Sequence, residues 1–252
     1  MFENLDIWII LWCSFALACG GLIKGTLGVG TPLLTVPLMA LVLPVQSAIA
    51  IMAIPVVVAN VMQFFQAERS IEVVKNFWPT FLCLLIGTWF GVEILATINE
   101  RNLLLMVGGL VIVFTFLQGS SRKLLLPDKW VRPAGVGFGL ASGVIGGVSS
   151  MFGPMFIIYL ISIKNLEKNQ FVSIISFLYM GAVIPWTIIL IWFGILDTQL
   201  LILSAFATIP VTLGLLVGRT LRSHVSEQKF QKLVLVVLLC SGGTMLWRAL
   251  VV

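Results

Sequence analysis

Gly20-Gly21-Leu22-Ile23-Lys24-Gly25-Thr26-Leu27-Gly28-Val29-Gly30-Thr31-Pro32 is an apolar stretch that glycines break and a proline restarts. Its echo reads Ser142-Gly143-Val144-Ile145-Gly146-Gly147-Val148-Ser149-Ser150-Met151-Phe152-Gly153-Pro154. Setting Pro32 on Pro154, an offset of 122, also sets Gly21 on Gly143 and Gly25 on Gly147. A Gly/Pro-interrupted hydrophobic segment at matching positions of two halves is the best sequence pointer to a secondary transporter's substrate site.

The surrounding chain supports a membrane setting. Hydrophobic residues make up 60% of the 252 residues and charged residues only 10%, against about 25% charged in soluble domains. Uncharged runs over 25–67, 133–163 and 169–196 each exceed the roughly 20 residues that span a bilayer. The hydrophilic stretches between them are too short for a soluble domain, and no Walker-type phosphate loop occurs, so ATP-driven transport is not expected. Glu3 and Asp6, with no Lys or Arg before Lys24, oppose a cleaved signal peptide, which needs a basic start. The first apolar segment therefore reads as a retained membrane helix. Cys13, Cys19, Cys83 and Cys240 form no CxxC pair and read as free thiols in apolar segments.

Membrane segments are expected over 7–23, 33–43, 47–66, 77–97 and 103–118, then over 134–148, 155–163, 171–193, 199–218 and 230–246. Gly87/Gly91 match Gly214/Gly218, and Glu100 matches Glu227, at a common offset of 127. The fold class is thus an all-α polytopic membrane protein of two repeats, 1–121 and 122–252, within a single integral-membrane domain. Each repeat is a broken helical hairpin followed by three transmembrane helices. The second segment of each hairpin is too short to cross a bilayer.

Charge gives the orientation. Loops 68–75, 119–133, 164–168 and 219–232 hold two, four, two and four basic residues, twelve of the 15 in the chain. The positive-inside rule places them in the cytoplasm. Both termini are then outside, and the halves enter from opposite faces as inverted repeats. The net charge of +5 belongs to these loops and is no nucleic-acid signal.

Proline at a helix start is pre-organised, since its missing N–H would be unpaired there. Pro32 and Pro154 therefore mark helix N-termini, with Thr31 and Gly153 in the capping positions. Such ends offer unpaired N–H groups and the positive end of the dipole to an anion. Gly28, Gly30, Thr31 and Pro32, with Ser149, Ser150, Gly153 and Pro154, are the candidate substrate-binding residues. Lys24, Thr26, Asn60, Gln63 and Tyr179 are candidates for lining the cavity. The four-residue ladder Gly135, Gly139, Gly143, Gly147 reads instead as a close-packing helix face. His224 is the only histidine, so no metal site, no cofactor site and no catalytic triad can be assembled around histidine. An enzyme is a poor fit.

Gly25 through Leu34, with the echo from Gly143 through Pro154, resembles the sulfite exporter TauE/SafE family of bacterial and archaeal membrane proteins. The likeness extends over most of the chain in length, duplication and hydropathy. It implies a secondary transporter in the cell inner membrane that exports, rather than imports, sulfite or an organosulfonate such as sulfoacetate. The residues alone point only to a small anion, and leave open a passive anion channel or a non-transporting membrane scaffold subunit. The partners expected are the anionic substrate, the lipid bilayer, a proton or sodium as coupling ion, and a second copy of the chain in a homo-oligomer; nucleic acid is not among them. Single cysteines at Lys123 and Gln199, on a cysteine-free background, should label from the cytoplasmic and outer sides respectively. Labelling of both from one side would refute the expected topology.

Overall fold

The computed structural model describes residues 6–28, 30–66, 76–119, 125–164, 166–221 and 227–251. Loop 68–75, His224 and parts of loops 119–133, 164–168 and 219–232 lie outside the described residues. Among the described residues the chain forms eleven helices. They are α1 (Ile7–Leu27), α2 (Thr31–Met39), α3 (Val45–Ile51), α4 (Ala53–Gln66), α5 (Trp78–Thr97), α6 (Glu100–Gly119), α7 (Asp128–Ser149), α8 (Gly153–Ile161), α9 (Lys168–Trp192), α10 (Thr198–Leu221) and α11 (Glu227–Val251). Eight spans are long and apolar enough to cross a membrane. The family of segments read from hydropathy is all present, and the fold is all-helical apart from one isolated bridge between Leu126 and Ile163.

The two short helices, α2 and α8, have nine residues each. At 1.5 Å per residue each rises about 14 Å, half the thickness of the hydrocarbon core. Both begin one residue earlier than the prolines suggest. Gly30 and Phe152 occupy the capping positions, Thr31 and Gly153 open the helices, and neither cap uses a side-chain hydrogen bond. A proline is as well tolerated one place further in, because first-turn N–H groups have no helical partner.

A single span over Val45–Phe65 is divided into α3 and α4 at Met52. Pro55 cannot donate to the Ile51 carbonyl, and its ring crowds that turn. The Ile54 N–H is diverted to Ser204 Oγ, 2.9 Å away and fully buried.

The helices gather into two compact units, each taking members from both halves of the sequence. One unit holds α1, α2, α3, α6, α10 and α11; the other holds α4 from Val56 onward, α5, α7, α8 and α9.

In the first unit α1 lies against α10. A Cβ on Gly21 would overlap the Val211 carbonyl, and one on Gly25 the Leu215 carbonyl; from α10, Gly214 and Gly218 meet Ala18 and Leu22 in the same way. Helix α6 packs on α11 through Gly108 and Gly242. Glu100 Oε1 accepts from the Val45 N–H at 2.9 Å, a carboxylate at the positive end of α3. Arg101 Nε donates to the Ala249 carbonyl at 3.0 Å, a cation among the last carbonyls of α11.

In the second unit α7 lies against α5. Gly143 and Gly147 meet the carbonyls of Leu84 and Thr88, while Gly87 and Gly91 meet those of Leu140 and Val144. Each of these contacts is the counterpart of one in the first unit, at offsets of 122 for α1/α7 and 127 for α5/α10. The exposed apolar stripes agree as well: Leu82, Ile86, Trp89 and Phe90 on α5 correspond to Ile209, Leu213, Leu216 and Val217 on α10. Each helix therefore turns glycines to its partner and large side chains outward, as suits a lipid-facing surface.

Gly21→Val and Gly143→Val should each cost about 1–3 kcal/mol, because the new side chain must force apart two backbones. Gly109→Ala and Gly137→Ala, where a Cβ meets nothing, should be neutral or slightly stabilising. Thermal unfolding in detergent checks this; equal effects of the two pairs would contradict it.

Candidate functional site

The first unit carries the break between α1 and α2. Gly28, at φ 82°, closes α1 in the left-handed conformation, and its N–H bonds to the Lys24 carbonyl at 2.8 Å. Gly30 has φ 101°, a value that glycine adopts without a Cβ penalty. Val29 lies outside the described residues. Thr31 follows, buried at 1% exposure, with an Oγ1 that has no hydrogen-bond partner.

Neighbouring bonds hold this end of α2 in place. Gly20 leaves room for the Thr31 carbonyl and the Thr35 hydroxyl against α1. Thr35 Oγ1 donates to the Ala16 carbonyl at 3.4 Å, and Trp12 Nε1 donates to Leu38 O at 2.8 Å near the far end of α2. Thr26, by contrast, turns its hydroxyl back to the Leu22 carbonyl within α1. Lys24 is buried in the last turn of α1.

The second unit carries the break between α7 and α8. Ser150 is the counterpart of Gly28, and it too is left-handed, at φ 60°, with its N–H on the Gly146 carbonyl at 2.6 Å. Among the described residues it is the one non-glycine with positive φ. That conformation costs an L-residue roughly 1–2 kcal/mol. The Ser150 side chain is 2% exposed and its Oγ is unpartnered. Ser149 differs: its hydroxyl donates to Ile145 O at 2.6 Å and accepts the Met151 N–H at 3.3 Å. Of the two serines, only Ser150 keeps an unpaired hydroxyl.

The wall around this break is aromatic. The Phe152 ring lies over Gly146 and meets Trp186 edge-on at 6.1 Å. Trp186 Nε1 donates to the Gly147 carbonyl at 3.0 Å, and Ser142 Oγ donates to Phe152 O at 2.8 Å. The Tyr179 hydroxyl sits where a Cβ on Gly153 would be, and its ring meets Phe156 edge-on at 5.8 Å. A turn before Tyr179 on α9, Ser176 Oγ is buried and unpartnered.

Gly28, Gly30, Thr31 and Pro32 thus share one break, while Ser149, Ser150, Gly153 and Pro154 share the other with Tyr179. On α4, Asn60 Nδ2 donates to the Val56 carbonyl at 2.8 Å, and Gln63 keeps a buried Oε1 without a partner. The sequence reading missed Ser142, Ser176 and Trp186. Ser142 and Ser149 are seven apart, and Ser176 and Tyr179 three, so their shared helix faces were detectable. No sequence signal marked Trp186. Among the described residues no three His, Cys, Asp or Glu side chains cluster to hold a metal.

Gly153→Ala should lower the melting temperature by colliding with the Tyr179 hydroxyl, and Tyr179→Phe in the same chain should restore much of the loss. Absence of any rescue would show that the two positions are not in contact.

A family model described as Sulfite exporter TauE/SafE matches residues 13–245. Comparison with curated proteins and with solved structures finds no match.

Proposed function

Because the chain belongs to the sulfite exporter TauE/SafE family, whose members are membrane transporters, we propose that it is a secondary transporter that moves sulfite or a related sulfonate outward across the inner membrane. The carrying observation is the pair of buried, unpartnered hydroxyls at the hairpin breaks, Thr31 Oγ1 and Ser150 Oγ. Thr31 opens α2, and Ser150 closes α7 three positions before α8 begins.

A buried polar group without a partner costs about 1–3 kcal/mol. It is tolerable where a ligand supplies the missing bond. First-turn N–H groups and the dipole add about half a positive charge at each helix start, and the glycines let an oxyanion approach the backbone. Gly28, Gly30, Thr31 and Pro32, and Ser150, Gly153 and Pro154, are therefore the proposed anion-binding residues. Ser149 shapes the second break through its bonds to Ile145 and Met151.

Such a site uses dipoles and hydroxyls rather than a bidentate arginine. It holds charge more weakly than arginine would, which suits a carrier that must release its cargo. Lys24 adds an auxiliary positive charge. Proton or sodium coupling, inverted repeats over 1–121 and 122–252, and termini on the outer side complete the reading; the distribution of basic residues supports the orientation.

Efflux of sulfite from proteoliposomes tests it. Thr31→Val keeps the shape without the donor, and Ser150→Gly keeps the left-handed backbone without the hydroxyl. Each should weaken sulfite affinity about tenfold or more, from the worth of a hydrogen bond to a charged group, with the folded protein retained. Lys24→Met should have the smaller effect. Wild-type affinity in both hydroxyl variants would remove them from the site, and flux that ignores both proton and sodium gradients would make the protein a channel.

A further inference from the structure

Away from the breaks, the second unit holds a cavity of about 540 Å³. It is lined by Lys129 and Arg132 of the first turns of α7, by Lys164 of the turn after α8, and by the amides Asn76 and Gln170. Tyr159 and Phe77 lie deeper, buried and edge-to-face at 6.1 Å. The bond from Leu126 N–H to Ser162 O, at 2.8 Å, ties the segment before α7 to the end of α8.

Among its described lining residues the charge is of one sign. No carboxylate is among its described lining residues. Glu167, next to it in sequence, is occupied as the cap of α9, accepting from the Gln170 backbone while the Gln170 side chain returns to its own N–H. Arg132 reaches Asn76 only at 3.4 Å, and all three cationic residues are exposed.

The size does not fit the proposed cargo. Water takes about 30 Å³ per molecule, so the cavity has room for far more than a sulfite of four heavy atoms. The cations share the cavity with the apolar residues Phe77, Val131, Ile163 and Leu166, which give it an apolar border, and Leu125, Trp130 and Ile161, near them in sequence, are exposed. Cationic pockets between membrane helices on the cytoplasmic side suit phosphate headgroups, and tryptophan at that level anchors in the membrane interface. A free anion would have no use for the apolar border.

We propose that this cavity binds the phosphate headgroup of an anionic phospholipid, with Lys129, Arg132 and Lys164 around the phosphate and the acyl chains along Leu125, Trp130 and Ile161. It is separate from the hairpin breaks and holds whether or not these bind the cargo.

The test uses the purified full chain in detergent, with binding read by thermal shift and by native mass spectrometry. Phosphatidylglycerol should raise the melting temperature and remain bound, whereas phosphatidylcholine and inorganic phosphate at the same concentration should do neither. Exchanging Lys129, Arg132 and Lys164 together for Gln should weaken phosphatidylglycerol binding about a hundredfold, and Lys164→Gln alone about fivefold. The single variant keeps the test decisive should the triple variant fail to fold. Lys232→Gln, an equal loss of charge outside the cavity, should change nothing. Unchanged phosphatidylglycerol binding in Lys164→Gln, an equal effect of phosphatidylcholine, or an equal effect of phosphate alone would each overturn the proposal.

Discussion

Inside a bilayer there is no water to satisfy a peptide group, and each exposed N–H or C=O left without a partner costs several kcal/mol. Everything in this protein follows from where the chain obeys that constraint and where it departs from it. The long helices obey it by internal bonding. The departures are at Gly28–Gly30, at Ser150–Phe152 and at the α3–α4 junction, and each is repaired locally. Gly28 and Ser150 turn their N–H groups back onto Lys24 and Gly146; Ser142 covers the Phe152 carbonyl; Ser204 takes the Ile54 N–H that Pro55 displaces. What is left over at the two hairpin breaks is small and specific: the buried hydroxyls of Thr31, at the start of α2, and of Ser150, at the end of α7.

Helix association in such a setting cannot draw on the hydrophobic effect, because lipid tails are as apolar as leucine. Close backbone approach takes its place. Gly21 and Gly25 against Val211 and Leu215, and Gly143 and Gly147 against Leu84 and Thr88, are one packing arrangement made twice. In both units the glycine-bearing helix is the one that runs into a break, so the contact that joins the helices also fixes the base from which α2 or α8 starts. Stability and the geometry of the breaks thus depend on the same glycines.

The two breaks are related without being alike. Gly28 accepts the left-handed conformation freely, whereas Ser150 adopts it at a cost and is retained with its hydroxyl unpaired. Strain and an unmet hydrogen bond coincide at this one residue, which is why the proposed anion site includes it. The surroundings differ too: Lys24 stands at the position where the second break has Gly146 beneath the Phe152 ring. One break is flanked by a buried lysine, the other walled by Phe152, Trp186 and Tyr179.

The sequence by itself determined the all-helical membrane fold and the location of both breaks, since these depend on hydropathy, period and the conformational limits of Gly and Pro, all local properties. The four-residue spacing of Gly135, Gly139, Gly143 and Gly147 also foretold a close-packed face. Only tertiary structure decided the partners: that α1 pairs with α10 and α5 with α7, so that each compact unit draws on both halves of the chain. It alone separated Ser150 from Ser149 and Thr31 from Thr26, residues of similar type whose hydroxyls differ in whether a carbonyl lies within reach. It likewise brought Trp186 to Gly147 and Tyr179 to Gly153 across separations that no local pattern records. Hydrogen-bond satisfaction depends on which atoms meet in space, and that is set by helix packing rather than by residue type.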